Sequence, residues 1–469
     1  MMTNREVALE AQFNLLKESW QKERPSVATR ISELQALHST LKKELPQMVQ
    51  AISSDFGLRV SEESLLSDGM TTLAEISHLI RNIKRWSKPR GASAGWRLWP
   101  ARAEIRPVPL GVVGILSPWN YPINLALVPL ATAIAAGNHV FLKPSEKSPH
   151  SSQFLSQLLS KVFPPNRVAV VQGDADLASE FSQLSFDHLF FTGSTAVGRK
   201  VMEAAARQLT PVTLELGGKS PALICDDFPI AKAAARISTG KWFNAGQTCI
   251  APDYILISEK RVDELVQALQ KEAEERYHTP EKLETRFTRI INRPQYDRLV
   301  QWRDEAETMG ARVIPLIGES HSEKNLIPPT LILNPSDQST LMREEIFGPL
   351  LPLITCSSLD EAIEIIQSKP RPLALYPFTN SKKNLEIILQ SIVAGGVTVN
   401  DTLLHFAATG LPFGGVGASG IGAYHGQTGF DRMSHLLPIV RQRKRATTDQ
   451  LRPPYEKKKK LIDFIIRSA

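Results

Sequence analysis

GVVGILSPWNYPINLALVPLATAIAAGNHVFLKPSE, residues 111–146, is the stretch from which the fold can be read. GVVGIL is an apolar run of strand length, SPWNYP a proline-marked turn, and NLALVPLATAIAAG a run long enough for a helix closed by Gly137. HVFLK and KPSE repeat the strand and the turn. The rhythm continues through a helix after Pro149, the strand RVAVV, the helix ADLASEF, the strand DHLFF, a helix from about Thr195 and a last strand, VTLEL, that reaches Glu215. Such alternation predicts an α/β fold, a doubly wound parallel sheet with right-handed crossovers that binds nucleotides at the carboxyl edge of its strands.

The residues just past each predicted strand therefore matter most. They are Ser117, Pro118, Trp119 and Asn120; Lys143, Pro144, Ser145 and Glu146; Gln172, Gly173 and Asp174; Thr192, Gly193 and Ser194; and Glu215, Leu216, Gly217 and Gly218. Any one of these polar turns is ordinary. Together they bring an ammonium, carboxylates, a carboxamide and close-approach glycines to one edge, a wall suited to a dinucleotide. Two other glycine patterns mean something else. GVGASG, 415–420, satisfies GxGxxG but follows Pro412 rather than a βαβ strand, and GSTAVGRK, 193–200, carries Arg199 where an ATP loop needs lysine. The latter still opens a helix whose N-terminus suits a pyrophosphate.

Outside this core, Phe13 to about Lys84 reads as helical, interrupted at Gly57 and at SEES, 61–64. SKPRGASAG, 87–95, reads as a linker and 96–109 as extended chain. A second alternating region runs to about residue 398. It includes a helix from Ile230 to Asn244, the strand DYILIS, the helix RVDELVQALQKEAEERY and a strand that follows the paired glutamates of MREEIFGPLLPLI, 342–354. The glycine-rich 410–426 has too many glycines for a packed helix and is expected to wrap the site or an interface.

At 469 residues, with 42% hydrophobic and 22% charged residues, the chain predicts a globular protein of two or more domains. No apolar run reaches the roughly 18 residues that span a bilayer. The first residues lack the apolar core of a leader, and no metal-ligand spacing is present. The net charge of +7 is local: residues 441–469 hold ten Lys or Arg against three Asp or Glu, so the rest sums to zero. The neutral body argues against a nucleic-acid partner. The basic tail, RQRKR at 441–445 and Lys457–Lys460 ahead of LIDFII, suits either weak attachment to an anionic membrane or packing on its own or a partner subunit.

Cysteine is rare. Cys225 and Cys356 lie in the apolar runs PALIC and PLITC and read as strand core, whereas Cys249 follows Gly246, Gln247 and Thr248 in KWFNAGQTC, 241–249. That small, polar turn leaves a thiol reachable and close to backbone N–H donors. A thiolate adding to a carbonyl makes an oxyanion, which such donors stabilise.

PWNYP at 118–122, LKPSE at 142–146, FTGSTAVG at 191–198, LELGGKSP at 214–221, GQTC at 246–249, EEIFGP at 344–349 and LPFGGVGASG at 411–420 together resemble the aldehyde dehydrogenase superfamily, in family order across most of the chain. VNDTLLHFA at 399–407 and YHG at 424–426 are similar to its dimeric class 3 branch, and GKWFNAGQTCIAPDY to coniferyl aldehyde dehydrogenases. The resemblance implies a Rossmann-like NAD(P)-binding domain (1–94 and 107–215), an α/β catalytic domain (216–398), a bridging or oligomerisation region (95–106 and 399–445) and a tail (446–469). It implies Cys249 as nucleophile, Asn120 as oxyanion donor and Glu215 as water activator. It places Lys143 and Glu146 at the adenosine ribose, Ser194 and the helix start around it at the pyrophosphate, Glu345 at the nicotinamide ribose and Phe347 near the nicotinamide, with Pro118, Trp119, Ser145, Gly173, Gly193 and Leu216 as further cofactor-binding residues. Tyr121, Trp242 and Phe243 are expected to line the aldehyde pocket. The expected reaction is NAD-linked oxidation of an aromatic aldehyde by a cytoplasmic homodimer, with NADP left open because Lys143 offsets Glu146. A medium-chain aldehyde is the alternative substrate, and a silent nucleotide-binding relative the alternative of another kind.

Overall fold

The computed structural model describes residues 4–468. The expected strands are Val112–Leu116, His139–Lys143, Val168–Val170, His188–Thr192 and Val212–Glu215, and they pair in parallel. Across the sheet they stand in the order fifth, fourth, first, second, third. The order reverses between the first and fourth strands, so the crevice beyond their carboxyl ends is flanked by Pro118–Asn120 on one side and Gly193–Ser194 on the other. A sixth, two-residue strand, Gly420–Ile421, lies antiparallel along Val212–Glu215. The glycine-rich stretch thus folds onto the sheet edge at Glu215 and takes part in this domain, beyond the bridging role expected of it.

The helix Asn124–Ala136 is buried at every position, Pro129 included. An all-round apolar helix needs cover on its outer side. The helices Val27–Lys43 and Thr71–Trp86 pack on it and supply that cover. Gly57 ends the helix Leu45–Phe56 in the left-handed region, as expected. The SEES expectation was wrong. Ser61–Ser64 is helical and runs into a wider π-helical turn, Leu65–Met70, which carries Asp68 fully inside instead of breaking the chain.

A second sheet stands in the order Arg312–Pro315, Thr330–Leu333, Leu350–Cys356, Tyr254–Ser258, Pro221–Ile224, Ala374–Phe378, Gly396–Val397, parallel except for its first pair. The residues between Tyr277 and Met342, unassigned from sequence, supply two of these strands and the helices Pro280–Arg286 and Arg293–Thr308. Cys225 and Cys356 are free and buried beside this sheet. The third sheet joins Arg90–Ala92, Arg102–Pro109 and Ser434–Arg441, antiparallel. So the linker reading of 87–95 holds only in part, since Arg90 is tied to the Asp431 carboxylate and its neighbours pair with Ala103–Ile105. The second strand of this sheet runs three residues past the boundary expected at 106, because its pairing with Ser434 extends to Pro109.

Candidate active site

Cys249 stands where the helix Ile230–Trp242 gives way to a tight turn. Asn244, Ala245 and Gly246 all take positive φ (53°, 51° and 73°), an uncommon run for which only the last residue is suited. The helix therefore stops at Trp242, two residues short of the expected Asn244. Gly246 has a second constraint, since a Cβ there would strike the Gly348 carbonyl. Gln247 fixes the turn from below. Its Nε2 donates to the carbonyls of Asn244 and Arg289, and its Oε1 accepts from Ile291 N–H, each at 3.0 Å. The thiol is partly exposed, with its own N–H and that of Ile250 pointing at the sulfur. Burial beneath the cavity wall, and after it the Glu345 and Glu215 carboxyls, push the thiol pKa up.

Around it runs a cavity of about 650 Å³. Cys249, Glu215 and Asn120 all reach its wall. Asn120 Nδ2 donates one hydrogen to the Gln247 carbonyl at 3.2 Å, which leaves the other free for an oxyanion beside the thiol. Glu215 is buried, and neither of its carboxyl oxygens has a hydrogen-bond partner, so burial alone raises its pKa well above the ordinary carboxyl value. Glu345 follows the same logic. Burial, then Asp253, push it up to about 8, against a hydrogen bond from Gly218 N–H.

The far part of the cavity is lined by Trp119, Gly193, Ser194, Thr195, Glu345 and Phe347, among others. Ser194 caps the helix Thr195–Ala206 by accepting from Val197 N–H, and Thr195 and Ala196, whose N–H groups have no intrahelical carbonyl to meet, line the cavity. Trp119 and Phe347 meet edge to face at 5.3 Å, and Phe347 holds a φ of 51°, strained for a bulky side chain. Gly217 has no room for a side chain, because a Cβ would run into the Glu345 carboxylate. The unpartnered buried oxygens of Thr192, Glu215 and Glu345 all belong to residues of this wall. A dinucleotide with hydroxyls and phosphates to offer them fits.

Pro118 and Leu216 complete that wall. Other expected residues stand apart from it. Lys143 is buried with its ammonium on Glu146 at 2.8 Å, Ser145 is held by Lys147 N–H, and Gly173 packs against Leu177, where a Cβ would not fit. Lys147 and Arg199 line the cavity instead. Of the expected pocket residues, Tyr121 shares a 2.5 Å hydrogen bond with Thr248, and Phe243 is half-buried. Trp242 is a correction: at 1% exposure it belongs to the main core, where a helix buried on most sides turns its last residue inward.

The aldehyde dehydrogenase family model matches residues 7–437. This chain belongs to the aldehyde dehydrogenase family. It is 44% identical over 433 residues to a protein of Pseudomonas aeruginosa named probable coniferyl aldehyde dehydrogenase, covering 92% of this chain and 90% of that one. A substrate-bound Staphylococcus aureus AldH structure superposes with a TM-score of 0.93 at 36% identity, covering 97% of this chain and 99% of that one. A Mycobacterium tuberculosis aldehyde dehydrogenase complexed with NAD+ superposes at 0.83 with 26% identity, over 93% and 90% of the two chains. The protein is thus an NAD(P)-linked oxidoreductase acting on aldehydes.

Behind the dehydrogenase site stands a set of buried charges that sequence reasoning missed. Arg59 and Asp68 are fully buried and paired at 3.2 Å. Arg59 also donates to the Asn120 carbonyl at 2.9 Å and lies over the Tyr121 ring, while Asp68 Oδ1 accepts from Ile123 and Asn124 N–H, each at 3.1 Å. Glu63 takes the Asn244 N–H and the Thr288 hydroxyl. Lys219 bonds Asp253 and the carbonyls of Leu341 and Glu344, and Asp253 takes Ile346 N–H, which fixes the loop bearing Glu345. In sequence, charges on helical stretches read as solvated faces. The one local hint was an Asp-Gly pair, 68–69, inside a helical pattern.

Proposed function

We propose that this aldehyde dehydrogenase oxidises aromatic aldehydes of coniferyl type, favours NAD, and uses Cys249, Asn120 and Glu215 as its chemical groups. The observation that supports this best is the pair of unpartnered Glu215 oxygens, buried yet on the wall of the cavity that the thiol and the Asn120 carboxamide share. Cys249 Sγ attacks the aldehyde carbon as the Glu215 carboxylate takes the thiol proton, which Glu215 releases to solvent before the hydrolytic step. The new oxyanion accepts from the free Asn120 Nδ2 hydrogen and from Cys249 N–H. When bound, the dinucleotide supplies the acceptor for the hydride that this adduct releases. Glu215 then takes a proton from water as that water attacks the thioester on Cys249, and the acid leaves.

Trp119, Phe347, Pro118 and Leu216 would enclose the nicotinamide end and Glu345 its ribose. Gly193, Ser194 and the helix start behind them would take the pyrophosphate, with Lys143 and Glu146 towards the adenosine. Because Lys143 is already neutralised by Glu146, no free ammonium there favours a 2′-phosphate, which supports NAD. Lys147 and Arg199 on the cavity wall would let NADP bind more weakly. The exposed Leu436, Leu437 and Val440 of the edge strand Ser434–Arg441 suit a homodimer contact, and three free cysteines suit the reducing cytoplasm.

Reduced-nicotinamide formation with coniferaldehyde, benzaldehyde, octanal and succinic semialdehyde, each with NAD and NADP, tests the reading. The expected result is the highest kcat/KM with coniferaldehyde and NAD, no turnover in Cys249→Ala, and a single burst in Glu215→Gln. Octanal outrunning both aromatic aldehydes would remove the substrate proposal while leaving the family assignment intact. Steady turnover by Glu215→Gln would remove its role as water activator.

A further inference from the structure

We propose that the C-terminal segment and the Trp96–Trp99 turn form one docking face for an anionic lipid bilayer, seating the enzyme on the membrane surface. Residues 441–469 carry the chain's entire net charge, ten cations against three anions. One of those anions, Asp449, is paired with Arg452. The segment folds as a turn, Thr447–Leu451, and a helix, Lys459–Arg467. The turn rests on the other half of the face, since Thr447 Oγ1 donates to the Trp99 carbonyl at 2.5 Å. The far end returns to it, where Arg97 donates to the Ser468 carbonyl at 3.0 Å.

What this face shows to solvent is apolar. On the helix, Leu461, Ile462 and Ile465 are half-buried, while Phe464 (62%) and Ile466 (66%) flank them in the open. Beside them Trp96, Trp99 (68%) and Tyr455 are exposed as well. Exposed tryptophans, an amphipathic helix and a cluster of lysines are the parts that seat a protein in the headgroup layer of an anionic membrane. A nine-residue helix cannot span, and no helix among the described residues is long and apolar enough to cross a membrane. The charge decides between occupants. A second copy meeting the same face would bring like charges together, and nucleic acid would leave Phe464, Ile466 and the tryptophans uncovered.

The test is sedimentation of the full-length enzyme with phosphatidylcholine vesicles and with vesicles containing 30% phosphatidylserine, in 0.1 and 0.5 M salt. Binding is expected to the anionic vesicles alone, at least tenfold weaker in high salt. It is also expected at least tenfold weaker in the pairs Trp96→Ala/Trp99→Ala and Phe464→Ser/Ile466→Ser, with dehydrogenase activity in solution unchanged. Equal binding to both vesicle types overturns the proposal, as does wild-type binding by both pairs, which would leave only attraction to any polyanion. A change of oligomeric state without lipid in either pair would make the face a contact between copies and overturn it too.

Discussion

The buried pair behind Asn120 invites the sharpest perturbation. Asp68→Ala strands the Arg59 guanidinium without a counter-charge in a fully buried place and orphans the N–H groups of Ile123 and Asn124. Removing one partner of a buried pair costs roughly 3–5 kcal/mol. The two orphaned donors place Asp68→Ala at the upper end, about 5 kcal/mol. Arg59→Met keeps the volume but leaves Asp68 charged and unpaired, costing about 4 kcal/mol. In Arg59→Met/Asp68→Asn no charge remains, and the Asn oxygen still accepts from the two N–H groups, so the loss should be only about 1–2 kcal/mol. Urea unfolding of the four proteins, with Asp68→Asn completing the cycle, measures this directly. Catalysis should behave differently. The double variant has still lost the Arg59 bond to the Asn120 carbonyl, so kcat should stay about tenfold down while cofactor affinity holds. Losses that add within about 0.5 kcal/mol would refute the reasoning, because independent sites behave that way.

Burial pushes the Glu75 pKa from 4.5 to about 7, against the hydrogen bond that one of its oxygens accepts from Gly426 N–H, while the other oxygen is unpartnered. A raised carboxyl pKa favours the folded state fully below its unfolded value and loses that contribution as pH rises through the folded one. Glu75→Gln should therefore gain on wild type between pH 5 and pH 8.5, by up to about 3 kcal/mol, and a difference independent of pH in thermal unfolding would refute this. Gly217→Ala forces the Glu345 carboxylate aside. Cofactor Kd from fluorescence titration should rise at least tenfold with circular dichroism unchanged, and an unaltered Kd would separate Glu345 from the cofactor. Because burial raises Cys249, Glu215 and Glu345 together, kcat/KM should climb with pH from 6 past 8, and a flat profile would show the thiol already ionised at rest.

The parallel sheet was legible because each strand is an apolar run that ends on a polar turn, and because its edge is where ligands gather. Cys249 was legible for a related reason, since Gly246, Gln247 and Thr248 are not residues that fill a core. Residues 278–341 show no sustained strand or helix period in sequence, although Thr279-Pro280 and Asn292-Arg293-Pro294 are both helix starts, with the Thr279 and Asn292 side chains as caps. Burial was the harder quantity. Trp242 looked like a pocket wall because it sits near the nucleophile in sequence, but it ends a helix buried on most sides and belongs to the main core. Arg59, Glu63 and Asp68 were missed because nothing in the loop that carries Arg59 or the helical turns that carry Glu63 and Asp68 shows that the chain past strand Val112–Leu116 will cover them.

Around the catalytic cavity, buried polar side chains differ in how many of their partners lie within the chain. Arg59, Asp68, Gln247 and Lys219 are met by protein atoms on several sides and hold Asn120, the Cys249 turn and the Glu345 loop in place. Glu215, Glu345 and Thr192, a few residues away, each keep at least one oxygen with no protein partner. An unmet buried oxygen is costly, and a fold able to satisfy Asp68 four ways could have satisfied Glu215 once. What sets Glu215, Glu345 and Thr192 apart from other unpartnered groups is that they share one cavity wall with the Cys249 thiol and the Asn120 carboxamide, which supports reading that cavity as built for atoms the chain does not contain.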